Sequence, residues 1–561
     1  VPIRFRLDMA PAENRVRLTV SRETAPDALP AEDEITVILR PHIEWRAFHA
    51  KTKAYLGAEQ ALPAAIRAES DGFRFDLPGA LPDLGIFLKG GQFHPGNEWR
   101  YSLPHPEESE RGLGDSSDLY SPGWFDLTLK GGDSSALVGG VGADRAFHPM
   151  TDQPARQDPF PLAEAVSQGL SLFVVKRDAF KTVIAGYPWF LDWGRDTLIV
   201  LRGLIADGRT DDALAILQEF GRFEENGTLP NIIHGNTVGN RDTSDAPLWF
   251  CVASEDLIER IGEERVLTAP CGHRPLRAVI ESILAHYRDG TPNGVRMDPE
   301  SGLIFSPPHF TWMDTNYPAG TPREGYPVEI QALWIAALRL AARRINGEWS
   351  ALAEKAATSL CRLFAMPGGG LYDALRAQPG TPAAQAAPED AIRPNQLLAV
   401  TLKVLPDRRL AESILAVTEQ LLIPGAIRSL ADRPVEADMG IWRDGALLND
   451  PHRPYRGHYR GDEDTSRKPA YHNGTAWSWT FPLFAEAAFV LYGDAARAPY
   501  ASLLASAAEP IRSNGCLCHI AEIYDGDAPH FARGCSAQAW GLSELARVGK
   551  ILNGEKGFQR I

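Results

Sequence analysis

Pro327-Val328-Glu329-Ile330-Gln331-Ala332-Leu333-Trp334-Ile335-Ala336-Ala337-Leu338 runs on to residue 342 with almost no polar side chain on any face of a helix. A helix that is apolar nearly all round is one buried on all sides. The next helical stretch, 348–363, is built differently. Leu352, Ala356, Leu360 and Leu363 make one stripe, and Glu354, Lys355 and Arg362 lie opposite it. Residues 275–288 repeat that one-sided pattern with Val279, Ile280, Ile283, Leu284 and Tyr287. Helical periodicity persists from about residue 161 to the end, with twelve candidate starts near 161, 195, 210, 245, 275, 327, 348, 394, 408, 476, 497 and 535. Pro275 and Pro327 suit first-turn positions, Asp407 and Asp494 suit N-caps, and Gly208, Gly262, Gly290 and Gly493 suit stops. Alternation of one-sided and all-round helices implies an inner ring wrapped by an outer ring. Six such pairs close an (α/α)6 toroid.

Residues 1–158 have the other period. Val16–Val20, Ile35–Leu39, Phe73–Leu77 and Phe125–Leu129 alternate apolar and polar residues between Pro- and Gly-rich turns. That is the signature of half-buried antiparallel strands. The expected fold is therefore mainly α: a toroid over 159–561, preceded by an antiparallel β-sandwich over 1–158. Ala155-Arg156-Gln157-Asp158-Pro159 reads as the linker. Gly139-Gly140-Val141-Gly142 lacks the strand–glycine-loop–helix setting of a nucleotide site and reads as a loop.

The 561 residues carry 57 Lys+Arg against 72 Asp+Glu, a net charge of −15. Nucleic acids and anionic membranes need a basic face, so neither is an expected partner; a neutral sugar is compatible. No apolar run is long enough to span a bilayer and the first residues lack a signal peptide's apolar core. Six cysteines are too few for a disulfide scaffold, and Cys516-Leu517-Cys518 has no second ligand pair at zinc spacing. The expectation is reduced thiols, no metal, no cofactor and a cytoplasmic location. The chain opens on Val1 without a Met, which reads as a piece of a longer chain.

Six segments dense in Trp, Asp, Glu, Arg and Asn lie at the starts of the presumed inner helices: 187–197, 241–250, 311–314 with 321–329, 392–396, 471–477, and 521–526 with 534–540. In a toroid those ends share one face, so the segments converge on one pocket with free backbone N–H groups pointing at it. Indole rings, carboxylates and guanidinium groups suit a pyranose, with stacking for its C–H face and charge-assisted hydrogen bonds for its hydroxyls. Glycoside cleavage takes two carboxylates, one protonated and one ionised. Asp192, Asp196, Asp242, Asp245, Asp314, Glu324, Glu329, Glu522 and Asp525 are all candidates, and composition does not choose among them.

Ala185-Gly186-Tyr187-Pro188-Trp189-Phe190 running into Asp192-Trp193-Gly194-Arg195-Asp196-Thr197, Asp245-Ala246 with Leu248-Trp249-Phe250, and Val328–Trp334 resemble the glucosidase domain of glycogen debranching enzymes, the amylo-α-1,6-glucosidase family. Arg393-Pro394-Asn395-Gln396, Tyr471-His472-Asn473-Gly474-Thr475, and Gly534-Cys535 with Gln538-Ala539-Trp540 follow in the family's order. Glu110–Leu113 and Asp118–Gly123 look like the end of its N-terminal β domain. The resemblance implies an inverting hydrolase that releases single α-1,6-linked glucoses from a branched α-glucan or small glucoside. It implies Asp245 as general acid and Glu522 as general base. Trp193, Arg195, Asp196, Trp249, Trp312, Asp314, Glu329, Arg393, His472, Trp477 and Gln538 are the implied substrate-binding residues. The family's Gly-rich opening segment and the four-glucan transferase domain are missing from this stretch. Pro247 and the Arg241–Ser244 run depart from the commoner Tyr-Asn-Thr version.

Each assignment has a plainer rival. Asp245 is also a first-turn carboxylate, Asp196 an ion-pair partner of Arg195, Asp242 a turn residue, and Asp525 a competitor for the role of Glu522. Glu329 in an apolar helix must meet a cation such as Arg323 or face the pocket. The competing functions are another exo-acting toroid glycosidase, a sugar phosphorylase and a non-catalytic glycan-binding module.

Overall fold

The computed structural model describes residues 1–10, 13–26, 28–46, 50–79, 82–142, 161–177, 179–234, 237–513 and 516–554. The expected linker at 155–159 lies outside the described residues. The chain divides into two compact units, Val1–Arg156 and Gln157–Ile561.

The first unit is rich in antiparallel sheet. Its strands are β1 (Ile3–Met9), β2 (Arg15–Arg22), β3 (Ile35–Leu39), β4 (Ile66–Glu69), β5 (Gly72–Phe75), β6 (Leu84–Leu88), β7 (Gln92–Pro104), β8 (Ser116–Leu129) and β9 (Ser134–Val141). One sheet has the order β1-β2-β9-β6-β5-β4 and the other the order β3-β8-β7. Val20, Phe73, Phe75 and Leu88 from the first sheet share one apolar cluster with Val37, Phe93, Phe125 and Leu127 from the second. The expected loop at Gly139-Gly140-Val141 is instead the end of β9, because β2 and β6 pair with it on both sides: Gly139 sits opposite Val16 and Ile86.

The second unit is helical. Twelve of its helices answer to the twelve expected starts: α1 (Leu162–Ser171), α2 (Gly194–Ala206), α3 (Thr210–Arg222), α4 (Ala246–Ile261), α5 (Leu276–Asp289), α6 (Val328–Arg344), α7 (Trp349–Phe364), α8 (Leu397–Thr401), α9 (Arg408–Thr418), α10 (Phe481–Tyr492), α11 (Arg497–Leu504) and α12 (Ala539–Leu552). Every residue of α2 and α8 is buried, whereas α5 buries one stripe, Leu276, Val279, Ile280, Ile283, Leu284 and Tyr287. Even-numbered helices pack on one another in succession, α2 on α4, α4 on α6, α6 on α8, α8 on α10 and α10 on α12; α12 packs on α2.

Several ends differ from expectation. The helices expected near 476 and 535 begin at Phe481 and Ala539, because Ala476–Trp477 and Ala537–Gln538 are short strands paired with neighbouring segments. Asp407 caps α9, accepting from the Arg409 and Leu410 amides at 2.9 and 3.4 Å. Asp494 caps no helix; its carboxylate pairs with Arg497 at 2.7 Å. Pro275 and Pro327 stand one position earlier than expected, as N-cap residues in extended conformation. No helix among the described residues is long and apolar enough to cross a membrane.

Candidate active site

Short antiparallel pairs stitch together the segments that precede the buried helices. Gly186–Tyr187 pairs with Ala537–Gln538, and Asp192–Trp193 with Ile232–Ile233. Ala476–Trp477 lies between Ile427–Arg428 and Ile523–Tyr524. Gly194 opens α2 where a Cβ would fall 2.3 Å from the Pro230 carbonyl oxygen, so only glycine lets the two backbones approach. Arg195 and Asp196 are thereby set in the first turn of α2.

These segments enclose a cleft of about 200 Å³ lined by Phe190, Trp193, Arg195, Asp196, Trp312, Asp314, Tyr471, His472, Trp477, Glu522, Gln538 and Trp540. Nine of the thirteen residues expected at the site are therefore in its wall, from four sequence segments. Phe190, Tyr471 and Trp540 are additions. All three lie inside the six segments dense in Trp, Asp, Glu, Arg and Asn, the one signal that pointed to them.

Aromatic rings form one side. Trp477 stacks on His472 with ring centres 5.1 Å apart, and Trp312 meets both edge-on at 5.0 and 5.3 Å. The Trp312 indole donates to Asn395 Oδ1 at 2.8 Å. Asn395 in turn donates to Asp373, which Arg323 holds at 2.7 Å.

Acids and their partners form the other side. Arg195 is 2% exposed and donates through Nε to Asp245 Oδ2 at 2.6 Å and through Nη1 to Asp314 Oδ2 at 3.1 Å. Its Nη2 makes no hydrogen bond with a described residue. Asp245 is the fully buried N-cap residue of α4, and Thr243 Oγ1 donates to its other oxygen at 2.7 Å. Asp245 touches the cleft through Arg195 and is not in its wall. Glu522 accepts from the Tyr471 hydroxyl on Oε1 and from the Cys535 amide on Oε2, the latter at 2.8 Å.

Burial pushes the Asp196 carboxyl up to about 7; Arg195 opposes the shift, and the nearby Asp314 and Glu522 reinforce it. Burial also raises Asp314 against the pull of Arg195. His472 is driven well below the usual imidazole range by burial and then by Arg393, Arg323 and Arg195. Its ring is therefore neutral at pH 7, and neither nitrogen bonds to a described residue. The neutral imidazole and Arg195 Nη2 are thus buried polar groups without a hydrogen bond to a described residue, available to a polar ligand.

The remaining expected residues lie behind the wall. Glu329 forms a buried two-pronged pair with Arg323, with Oε2 at 2.7 Å from Nη2. Arg323 meets the demand of a charge inside an apolar helix. Arg393 is spent on the Ser429 carbonyl at 3.1 Å, the His472 carbonyl, and Asn473 Oδ1 at 2.8 Å. Trp249 is 2% exposed, with the Arg202 guanidinium 5.8 Å from its ring centre, and belongs to the core. Among the other candidate acids, Asp192 pairs with Arg177, Glu324 accepts from Gln378 at 2.8 Å, and Asp242 is an exposed turn residue. Asp525 is outside the cleft, holding Arg533 at 3.2 Å and accepting the Tyr459 amide at 2.8 Å. Cys535, Cys518, Cys251 and Cys271 are buried thiols outside any disulfide, and no group of three metal-ligating side chains occurs among the described residues.

Known proteins carry the same pattern. Residues 168–547 match the family described as Amylo-alpha-1,6-glucosidase, and residues 1–136 match that described as Glycogen debranching enzyme N terminal. The chain is also similar to the glycogen debranching enzyme of Saccharomyces cerevisiae, 24% identical over 424 residues, which are 58% of this chain and 26% of the yeast protein. It thus spans about a quarter of that relative's length. With a family match over more than half its length and a cleft of carboxylates, guanidinium and indole groups, this chain belongs to the amylo-alpha-1,6-glucosidase family of glycoside hydrolases.

Proposed function

We propose that the chain releases single glucose units from α-1,6 branch stubs of a branched α-glucan, by an inverting two-carboxylate mechanism on an (α/α)6 toroid. The succession of even-numbered helices that returns from α12 to α2 supports the toroid. The carrying observation for the chemistry is Glu522. It is 2% exposed, lines the cleft and is aimed by a phenol and an amide. In this reading Glu522 draws a proton from the attacking water. Asp245 delivers a proton to the leaving oxygen, exchanging its Arg195 contact for that oxygen once substrate enters; catalytic hydrogen bonds commonly align only in the bound complex. Asp196, Arg195 and His472 hold hydroxyls of the glucose, and Trp312 and Trp477 pack its apolar face.

One observation favours a second assignment of the acid. Asp196 is itself in the cleft wall, and its surroundings keep it protonated up to about pH 7. A carboxyl raised by burial and neighbouring carboxylates is the ordinary form of a glycosidase acid.

Two substrates separate the assignments. α-Glucosyl fluoride has a leaving group that needs little protonation; a glucosyl branched dextrin needs the acid. Glu522→Gln is expected to lose both activities. Asp245→Asn is expected to lose dextrin cleavage by about 10²–10⁴ and keep most fluoride hydrolysis. The same split in Asp196→Asn instead moves the acid to Asp196. An initial α-glucose product seen by NMR refutes inversion, and absence of glucose release by the wild type refutes the whole reading.

A further inference from the structure

Outside the cleft stands a hairpin that the proposed reaction does not use. Trp442–Arg443 and Ala446–Leu447 pair antiparallel, and Asp444 and Gly445 between them both have positive φ, 50° and 81°. That is the two-residue turn that Asp-Gly favours, and it makes a stiff hairpin. Trp442 lies opposite Leu447 and is 58% exposed. A Cβ on Gly440 would sit 3.0 Å from the indole nitrogen and 3.3 Å from Leu447, so the nitrogen edge of the ring is held close to the Gly440 backbone while much of the residue stays exposed.

The hairpin is tied to two segments that lead into the cleft. The Tyr317 hydroxyl donates to Asp444 at 3.0 Å, and Tyr317 is itself 50% exposed. Asp314 of the cleft is three residues back, no more than about 11 Å along the chain. On the other side Arg443 pairs with Asp464 at 3.2 Å, and Asp464 with Lys468 at 2.7 Å. Lys468 begins the short helix that ends at Tyr471 of the cleft.

Single exposed aromatic residues are ordinary. Here one stands on a stiff hairpin and the other is hydrogen-bonded to that hairpin's turn, which is tied to two segments that lead into the cleft. We propose that Trp442 and Tyr317 form a platform for a neutral glucan chain, the part of the substrate that continues beyond the glucose in the cleft. This rests on the glucosidase reading. Flat rings pack against the C–H faces of pyranoses, and Arg443 and Asp444 offer a donor and an acceptor to hydroxyls beside them. The −15 charge disfavours anionic glycans and leaves an uncharged chain as the occupant.

The test uses the full chain with Trp442→Ala and Trp442→Phe, since an exposed hairpin position leaves the core untouched. Three readouts are KM for a glucosyl branched dextrin, the rate on α-glucosyl fluoride, and retardation in a native gel containing glycogen. Losing one indole face packed on a sugar corresponds to about a tenfold change. Trp442→Ala is expected to raise the dextrin KM about tenfold, leave the fluoride rate unchanged and weaken retardation; Trp442→Phe is expected to restore most of both. Unchanged KM and retardation in Trp442→Ala overturn the platform. If the wild type cleaves neither substrate, the glucosidase reading fails by itself, and retardation alone decides. Its loss in Trp442→Ala upholds the platform and its retention overturns it.

Discussion

Asp196→Asn is expected to stabilise the protein, and to do so more at pH 7.5 than at pH 5. The carboxyl is held up to about 7 in the folded chain, chiefly by burial, against an ordinary value of 3.8. Between those values the folded protein keeps a proton that the unfolded chain has released, so stability falls as pH rises through the window. The cost to the wild type is about 4 kcal/mol at pH 7.5 and about 1.7 kcal/mol at pH 5, at 1.36 kcal/mol per unit. The isosteric amide has no proton to lose and escapes both. Its advantage should therefore grow by about 2.5 kcal/mol between the two pH values. A helical unit of about 400 residues unfolds with about 0.85 kcal/mol/K of entropy, which converts that growth to about 3 °C in Tm. The assay is a pair of thermal scans, wild type and variant, at matched ionic strength. An Asn advantage that is constant across pH, or that shrinks towards pH 7.5, refutes the raised carboxyl and with it the second assignment of the acid.

Two further substitutions probe the cleft and its support. Gly534 has φ 67°, and a Cβ there would lie 2.3 Å from Glu522 Oε2. Gly534→Ala should displace the base and lower kcat by about 10², as a misplacement of about 1 Å does elsewhere; an unchanged kcat removes Glu522 from the chemistry. Glu329→Gln leaves Arg323 a poorer partner in the interior, where losing one member of an ion pair costs about 3–5 kcal/mol. Tm should fall by about 4–6 °C with KM for α-glucosyl fluoride unchanged; the reverse pattern would make Glu329 a sugar contact.

The buried helices were readable from composition alone. The nearly all-round apolarity of 328–342 belongs to a helix buried on most of its surface, and in a chain with no apolar run long enough to span a bilayer that means the protein interior. The starts at 476 and 535 were misplaced because a strand of two residues is too short to show a period. Site residues split by partner distance. Arg195, Asp196, Asp314 and His472 face the cleft; Glu329 and Arg393 looked the same in sequence, being charges near helix starts. What separates them is Asp373, which is 50 residues from Arg323 and pairs with it, and such a partner leaves no mark on local pattern. Glu522 and Asp525 are three residues apart, and what separates them is their partners: Asp525 is engaged by Arg533 and the Tyr459 amide outside the cleft.

The contact between α12 and α2 has a consequence for how the protein is made. Ser543 bonds Gly203 and Val200 across 340 residues, and Gln538, Trp540 and the Cys535 amide finish the cleft from the same late segment. At ordinary elongation speeds, roughly 17–70 s separate synthesis of these two edges. For almost all of that interval Arg195 and Asp196 exist without Glu522, Gln538 and Trp540. Under the proposed function, a nascent chain that has folded its earlier helices still lacks the base and one edge of the cleft, so glucose release is expected only once the α12 segment has been made.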